Sequence, residues 1–353
     1  ANWRLTPNET LGQNCSAVGS YAPRVTEPWQ IGVPGAPDTF SCLFRGVSVS
    51  DIQNTNVDTK VPTYKIGLNW DASDTSFLYA FYARGYKAGT HQGVNGVEPE
   101  LVDDYEFGWK GSLFDGALSG DLSFYYMDYQ DMQGGLFQNS DPRGADNVNS
   151  NIGNATMMGV EASARWFVGD FSFSASMAFQ DSEIENVRDI DTSLLPRWTD
   201  VQDGTEYDYL PQCGLNPGTD AVATTAPGGI PNGTCFDYEP YFNNLSGQQQ
   251  IYAPELSYNL GVDYQFAFGN GTLTPRLTFS HTDENYASLI QTPYYLNDAR
   301  DVTDFDITFA NGSWDVQLFI TNLTEEVYIQ TAAGDLIGYG TPRTYGLRTR
   351  MNF

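Results

Sequence analysis

Residues 171–180 read FSFSASMAFQ, an alternation of large apolar side chains with serine, alanine and glutamine. Residues 257–266 read SYNLGVDYQF and repeat the alternation with different residues. A period of two places successive side chains on opposite faces of an extended strand. These two stretches therefore predict β-strands that each have one apolar face and one polar face.

The same period recurs along most of the chain, which predicts an all-β fold of eleven strands. Segment 75–87 is apolar on both faces, so its pattern does not assign its two sides. The nine strands predicted besides the two quoted above cover 61–70, 75–87, 105–113, 118–126, 158–166, 273–279, 305–309, 314–320 and 345–353.

Short and long connections between these strands alternate strictly. The five short ones are rich in Asn, Asp and Gly, the residues that tight hairpin turns require. A barrel that crosses a membrane has short turns on one side and long loops on the other, whereas a soluble sandwich has no reason to sort its loops. The pattern predicts an antiparallel transmembrane β-barrel with polar faces toward a lumen and apolar faces toward lipid. The long connections are roughly 89–100, 131–155, 184–250, 286–298 and 331–340.

Composition excludes several other classes of protein. The 353 residues include 17 Lys+Arg and 44 Asp+Glu, a formal net charge of −27. No basic stripe is present to neutralise phosphates, so a nucleic-acid partner is not expected. No apolar run approaches the roughly 20 residues of a membrane helix. With 22 Tyr, 21 Phe and 7 Trp, the chain is also too aromatic for an acidic disordered protein.

Five segments, in this order, resemble the C-terminal half of the barrel of a TonB-dependent outer-membrane receptor. They are YARGYKAG at 82–89, DYEFGWK at 104–110, GVEA at 159–162, ITNLT at 320–324 and TPRTYG at 341–346. The resemblance implies a receptor in the outer membrane of a Gram-negative bacterium, with its long loops outside. It implies uptake of a bulky or scarce nutrient (an iron chelate, a cofactor or an oligosaccharide) through a barrel of about 22 strands, coupled to the TonB complex.

Eleven strands would form only half of such a barrel. A half barrel has two unpaired edges, which lipid does not tolerate. We therefore expect a plug domain and an N-terminal barrel half outside this sequence, on the same chain or on a second polypeptide. We expect residues 1–60 to form a disulfide-bearing extracellular region and residues 61–353 to form the half barrel. The alternatives are a barrel subunit of a surface assembly and a passive pore whose twelfth strand is 43–52.

The four cysteines fall into two local pairs, Cys15 with Cys42 and Cys213 with Cys235. Four cysteines permit three connectivities, of which local pairing is the simplest. Neither pair has the spacing of a zinc site. We therefore expect two disulfides in an oxidising compartment, the second of them within the long loop 184–250.

Aromatic side chains of the long loop are the candidate ligand-binding residues, since loops over a barrel mouth would meet a ligand first. The alternative interpretation is a loop that packs on its own aromatic residues. His91, in the first long connection, is a further candidate. The loop candidates are Trp198, Tyr207, Tyr209, Tyr238 and Tyr241.

We expect neither enzymatic activity nor a resident cofactor. His91 and His281 are the only histidines, and neither lies beside a nucleophile motif. Acidic clusters such as Asp189-Ile190-Asp191 could hold Ca²⁺ but lack the spacing of a calcium loop. Surface acids could also meet divalent cations that bridge lipopolysaccharide in the surrounding outer-membrane lipid.

Two further sets of residues have expected roles in the barrel itself. The charged residues of the polar faces should bond across strands or meet a plug: Glu106, Lys110, Glu161, Arg165, Arg276, Arg348 and Arg350. The resemblance also implies that the alternating apolar residues of the last strand form the signal read by the barrel-assembly machinery: Tyr345, Leu347, Met351 and Phe353.

Overall fold

A computed structural model describes residues 60–92, 95–138, 146–191, 194–195, 213–214, 222, 235–333 and 336–351. One antiparallel sheet dominates this part of the chain, and each of its eleven long strands pairs with its neighbours in the sequence. The strands are β1 (Tyr64–Ser73), β2 (Ser76–Lys87), β3 (Glu100–Leu113), β4 (Leu118–Gln138), β5 (Asp146–Val168), β6 (Phe171–Glu185), β7 (Leu256–Tyr264), β8 (Gly271–Thr282), β9 (Arg300–Ala310), β10 (Trp314–Thr321) and β11 (Thr344–Met351). The prediction of an all-β fold with about eleven strands is confirmed.

Short elements complete the described structure. After Gln265, the segment Phe266–Phe268 continues the pairing of β7 with β8. Four of the long connections hold small two-stranded sheets: Thr90–Gln92 with Asn95–Val97, Arg188–Ile190 with Phe242–Asn244, Asn285–Tyr286 with Leu296–Asn297, and Ile329–Ala333 with Leu336–Tyr339. Two single turns of 3₁₀ helix cover Glu239–Tyr241 and Pro293–Tyr295. Within the described residues, no helix has the length and apolarity needed to cross a membrane.

The register of the sheet keeps the two faces separate across all eleven strands. Leu260 of β7 lies opposite Ala175 and Phe279. The adjacent Asn259 lies opposite Ser176 and Ser280 on the other face. The sheet therefore has one continuous apolar face and one continuous polar face, as the period-two pattern predicts for a barrel wall.

The register also assigns the two sides of β2, which the sequence pattern does not. Leu78, Ala80 and Tyr82 pair with Trp70, Leu68 and Ile66, and so lie on the apolar face. Phe77, Tyr79 and Phe81 consequently lie on the polar face, where charged groups contact two of these side chains. The ammonium of Lys65 lies 3.3 Å from the centre of the Phe81 ring, and the Tyr79 hydroxyl donates to Glu106 at 2.5 Å. Aromatic residues can line the polar face because cations pack on the faces of their rings, and because carboxylates accept hydrogen bonds from the tyrosine hydroxyls.

The hairpin of β4 and β5 is longer than the sequence predicts. Most of the expected connection 131–155 is strand, and only 139–145 lies between the two strands. The pairing continues past two irregularities, at Asp131 (φ 54°) and Gly153 (φ 141°). Gly153 is required there, because a Cβ atom would lie 2.5 Å from the carbonyl oxygen of Glu185. The polar composition of 145–154 hid this extension, since the strands no longer alternate apolar and polar residues there.

The sheet has two open edges in the described part of the chain. There β1 pairs only with β2, and β11 pairs only with β10. Both edge strands carry large apolar side chains with little cover: Leu68 is 80% exposed on β1, and Tyr345 is 80% exposed on β11. Segment 43–52, the candidate for a twelfth strand, lies outside the described residues, as do Cys15, Cys42 and Phe353.

Candidate ligand site at the long-loop end

A cavity of about 460 Å³ lies on the polar face, at the end of the sheet where the long connections are. We call it the mouth cavity. Strand ends supply one side of it: Lys87 of β2, Glu100 of β3, Tyr129 and Met132 to Gly135 of β4, and Ile152 of β5. Two long connections supply the other side, through 189–191 and 250–251 after β6 and through 287–290 and Tyr295 after β8. The mouth cavity is therefore assembled from parts of the chain that are distant in sequence.

The inner wall of the mouth cavity is apolar and well packed. Met132 and Ile152 line it and belong to a buried cluster with Ala155, Ile184, Val187 and Leu245. Tyr129, Leu289 and Ile290 pack against the same cluster. The connections after β6 and β8 are thus held against the sheet by hydrophobic burial, which fixes the shape of the cavity.

The polar side of the mouth cavity is built around Gln133, which is 8% exposed. Its backbone N–H donates to Glu100 Oε2 at 2.7 Å. Its side-chain amide donates to the carbonyl oxygens of Ala88 and Glu98, at 3.1 and 3.0 Å. Lys87 lies 3.8 Å from the same Glu100 carboxylate. These bonds tie the connection between β2 and β3 to β4 and leave Lys87 with an anionic partner.

Tyr252 joins three of the long connections. Its backbone N–H donates to the Tyr286 carbonyl oxygen at 2.8 Å. Its hydroxyl donates to the carbonyl oxygen of Ala332 at 2.9 Å and lies 3.0 Å from the Thr331 hydroxyl. The connections that follow β6, β8 and β10 therefore meet at one residue.

The residues predicted to capture a ligand lie elsewhere or outside the described structure. Tyr238 is fully buried, with its ring 4.9 Å from that of Phe236. The Tyr241 ring lies 5.7 Å from the same phenylalanine. Both contacts fit a loop that packs on its own aromatic residues. The backbone of His91 lies in the short strand Thr90–Gln92. Trp198, Tyr207 and Tyr209 fall outside the described residues, so ligand capture by these aromatic residues stays a prediction.

The disulfide predicted within the long loop is present. Cys213 and Cys235 are bonded across a sequence separation of 22. The backbone N–H of Cys213 also donates to the Phe236 carbonyl oxygen at 3.1 Å. The disulfide therefore closes the loop next to the packed aromatic residues.

Cross-strand bonds occupy several of the charged and polar groups along the polar face. Gln317 accepts from Arg348 at 3.0 Å and donates to Asp306 at 2.9 Å, which links β9, β10 and β11. Ser163 donates to Asp121 at 2.5 Å, and Arg165 donates to Ser172 at 3.2 Å. These contacts agree with the expected bonding across strands.

His281 holds the start of the connection after β8 on the apolar face. Its ring stacks on Tyr258 with 5.0 Å between centres. Its Nδ1 lies 2.6 Å from Asp301 and its Nε2 lies 2.9 Å from Asp283. Both ring nitrogens are bonded to carboxylates, so the role of His281 in the structure is to hold this connection in place. Within the described residues, no group of three or more His, Cys, Asp or Glu side chains is placed to hold a metal ion.

A comparison with protein families gives the observation that decides the identity of this sheet. The family described as "TonB dependent receptor-like, beta-barrel" matches residues 44–323. The chain belongs to this family. The match covers all of β1 to β10, so the apolar face of these strands is the lipid-facing wall of a barrel and the polar face lines its lumen.

Known proteins agree with the family. The ferric-pyoverdine 358 receptor of Pseudomonas putida is 30% identical over 71 residues, which are 20% of this chain and 9% of that protein. The ferric yersiniabactin uptake receptor FyuA from Yersinia pestis superposes with a TM-score of 0.56 at 16% identity, over 82% of this chain and 37% of its own. The siderophore receptor PiuA from Acinetobacter baumannii gives 0.54 at 16% identity, over 81% and 35%.

These solved structures establish the fold of the described sheet, and the chain spans little more than a third of their length.

The sequence pattern predicts the wall of this barrel but does not predict the mouth cavity. Of its lining, Lys87 belongs to the family-like segment 82–89, and Asp189 to Asp191 form an acidic cluster noted in the sequence, but neither pattern predicts a cavity. Met132, Gln133 and Leu289 have no signal of their own, because their proximity depends on how the connections fold back over the sheet.

Proposed function

We propose that this chain is the C-terminal part of the barrel of an outer-membrane receptor that takes up a ferric chelate. The proposal places the receptor in a Gram-negative outer membrane, with the long connections outside the cell. It requires a plug domain and a further barrel wall, on the same chain or on a second polypeptide, and energy from the TonB complex. Lipopolysaccharide would surround the outer ends of the strands.

The observation that carries the proposal is the mouth cavity in a chain of this family. It opens on the polar face at the long-loop end, and it combines an apolar wall with a few fixed polar groups, as small-molecule sites do. The relative and the two solved structures named above are receptors whose names refer to siderophores or their ferric complexes. That common cargo supports a ferric chelate over a cofactor or an oligosaccharide.

Uptake of radioactive iron tests the proposal. The whole receptor is produced in a Gram-negative host that lacks its own ferric-chelate receptors, in one strain with TonB and in one without. Ferric complexes of hydroxamate, catecholate and carboxylate chelators are offered to both strains. We expect accumulation of at least one complex only in the strain with TonB, while binding at the cell surface persists in both.

Three results would contradict the proposal in different ways. Equal uptake with and without TonB would indicate the passive pore. Uptake of a cobalt-containing cofactor or an oligosaccharide, without uptake of any ferric chelate, would correct the substrate class. Absence of both binding and uptake would leave a barrel subunit of a surface assembly as the better account.

A further inference from the structure

We propose that the chelate recognised at the mouth cavity is electroneutral or cationic, of the hydroxamate type, and not a polyanionic catecholate or carboxylate complex. This inference rests on the proposed function and adds the charge class of its substrate. It follows from three features of the chain: the cations that line the cavity, the hydrogen-bond donors there, and the charge of the connections that line it.

The first feature is the shortage of cations among the described lining residues of the mouth cavity. Among its described lining residues, Lys87 is the one lysine or arginine, and it lies 3.8 Å from Glu100. The other charged lining residues are Asp189 and Asp191. Sites that bind carboxylates or other anions tightly use the forked donors of arginine or unpaired lysines. An anionic chelate would lose water here without gaining such partners, which is unfavourable.

The second feature is a pair of neutral donors that a ligand can recruit. The side-chain amide of Gln250 donates to Met132 Sδ at 3.4 Å. The hydroxyl of Tyr129 donates to Met127 Sδ at 3.6 Å. A thioether sulfur is a weak acceptor, so an amide or hydroxamate oxygen would be a better partner for either donor. The two donor residues, Gln250 and Tyr129, line the mouth cavity beside its apolar wall.

The third feature is the charge of the two connections that line the mouth cavity, counted over their described residues. The described residues of the connection between β6 and β7, which lie within 186–255, include five Asp or Glu and one Arg. The connection between β8 and β9, residues 283–299, has three acidic residues and neither Lys nor Arg. A surface of one sign concentrates ligands of the opposite sign and repels those of the same sign. The long-loop end therefore disfavours approach of an anion before any contact is made.

The chemistry of ferric complexes converts this charge preference into a substrate class. Three hydroxamates neutralise the charge of the ferric ion, and an amine on the chelator makes the complex cationic. A catecholate group carries two negative charges, whereas a hydroxamate group carries one. Ferric complexes of three catecholates therefore remain strongly anionic. The mouth cavity offers apolar contact and neutral donors, which suit the first kind of complex.

Binding of a charge series to the purified whole receptor tests the inference. The probes are the ferric complexes of one linear trihydroxamate with a free terminal amine, with the amine acetylated, and with the amine succinylated. They share the metal centre and differ in net charge from positive through zero to negative. We expect the cationic and neutral complexes to bind at least about tenfold more tightly than the anionic one, with the difference shrinking as salt screens the charges.

The outcomes separate this inference from the proposed function. Equal or tighter binding of the succinylated complex, or of a ferric catecholate, would overturn the charge assignment and leave ferric-chelate uptake standing. A preference that does not change with salt would also overturn it, because the loop charges would then play no part. Failure of hydroxamate, catecholate and carboxylate complexes alike to bind would overturn the proposed function and this inference together.

Discussion

The ammonium of Lys87 lies 3.8 Å from the carboxylate of Glu100, its direct partner in the register of β2 and β3. The same carboxylate accepts the backbone N–H of Gln133 at 2.7 Å. Glu100 therefore pairs with Lys87, the one lysine among the described lining residues of the mouth cavity, and is itself held in place by β4. This pair sets the electrostatic character of the strand side of the cavity.

Replacing Glu100 with glutamine should shift the charge preference of the receptor. In Glu100→Gln the ammonium of Lys87 loses its anionic partner, so we expect affinity for the succinylated ferric complex to rise about fivefold, roughly 1 kcal/mol. Affinity for the complex with the free amine should fall by a similar factor. Titration of the purified receptor with both complexes measures the two changes.

The double variant Glu100→Gln/Lys87→Met is the control for this experiment, because it removes the freed charge and keeps the glutamine. Its affinity for the succinylated complex should return toward the original value. An unchanged affinity in the single variant would show that Lys87 does not reach the bound ligand.

Two neighbouring residues of β7 test which face of the sheet meets lipid. Leu260→Arg places a charge on the apolar face at the centre of β7 and should lower the free energy of unfolding by about 2–4 kcal/mol. Asn259→Arg places the same charge on the polar face, where water and the lumen accept it, and should cost much less. Urea unfolding of the whole receptor in lipid vesicles gives both values. Equal costs for the two variants would contradict the assignment of faces.

The disulfide between Cys213 and Cys235 should stabilise its own loop and leave the barrel wall unaffected. Closing a loop of this length contributes roughly 3 kcal/mol in the chain-entropy account. We expect Cys213→Ser/Cys235→Ser to accelerate proteolytic cleavage between these two positions, with the strand segments still protected. Mass spectrometry of the fragments locates the cuts. Equal cleavage rates with and without the bond would show that the packing of Phe236, Tyr238 and Tyr241 alone holds the loop.

Tyr252→Phe should loosen the hairpin that follows β10. The variant loses the hydroxyl contacts with Thr331 and Ala332, which together are worth about 1–2 kcal/mol. We expect faster amide hydrogen exchange in 329–333 and little change in β10 and β11. Tyr339→Phe is the matched control, since Tyr339 lies in the same hairpin with 67% of its surface exposed. Equal changes in hydrogen exchange for the two substitutions would show that the Tyr252 hydroxyl does not link these connections.

The strands could be predicted from sequence because each one lies between two environments. Leu260 and Asn259 differ in polarity since one faces lipid and the other faces the lumen, and the period-two pattern records that difference directly. The two faces of β2 could not be assigned from the sequence, because Phe77, Tyr79 and Phe81 are aromatic yet face the lumen. Only pairing with β1 shows which side they occupy.

The mouth cavity could not be predicted for a different physical reason. Gln133 and Leu289 lie more than a hundred residues apart and line the same cavity only because the connections fold back over the sheet. No periodicity in the sequence records such an arrangement. The aromatic content of 184–250 suggested ligand capture, but the full burial of Tyr238 shows that aromatic residues in a long loop also serve to pack the loop itself.

A structure of the whole receptor, purified from outer membranes and determined by electron cryo-microscopy, tests the central claim most directly. If β1 to β11 are half of a larger barrel, β1 and β11 will each pair with a further strand, the closed barrel will have about 22 strands, and a plug will fill its lumen. A barrel closed by pairing within residues 43–351, with an open lumen, would contradict the account and establish the passive pore instead.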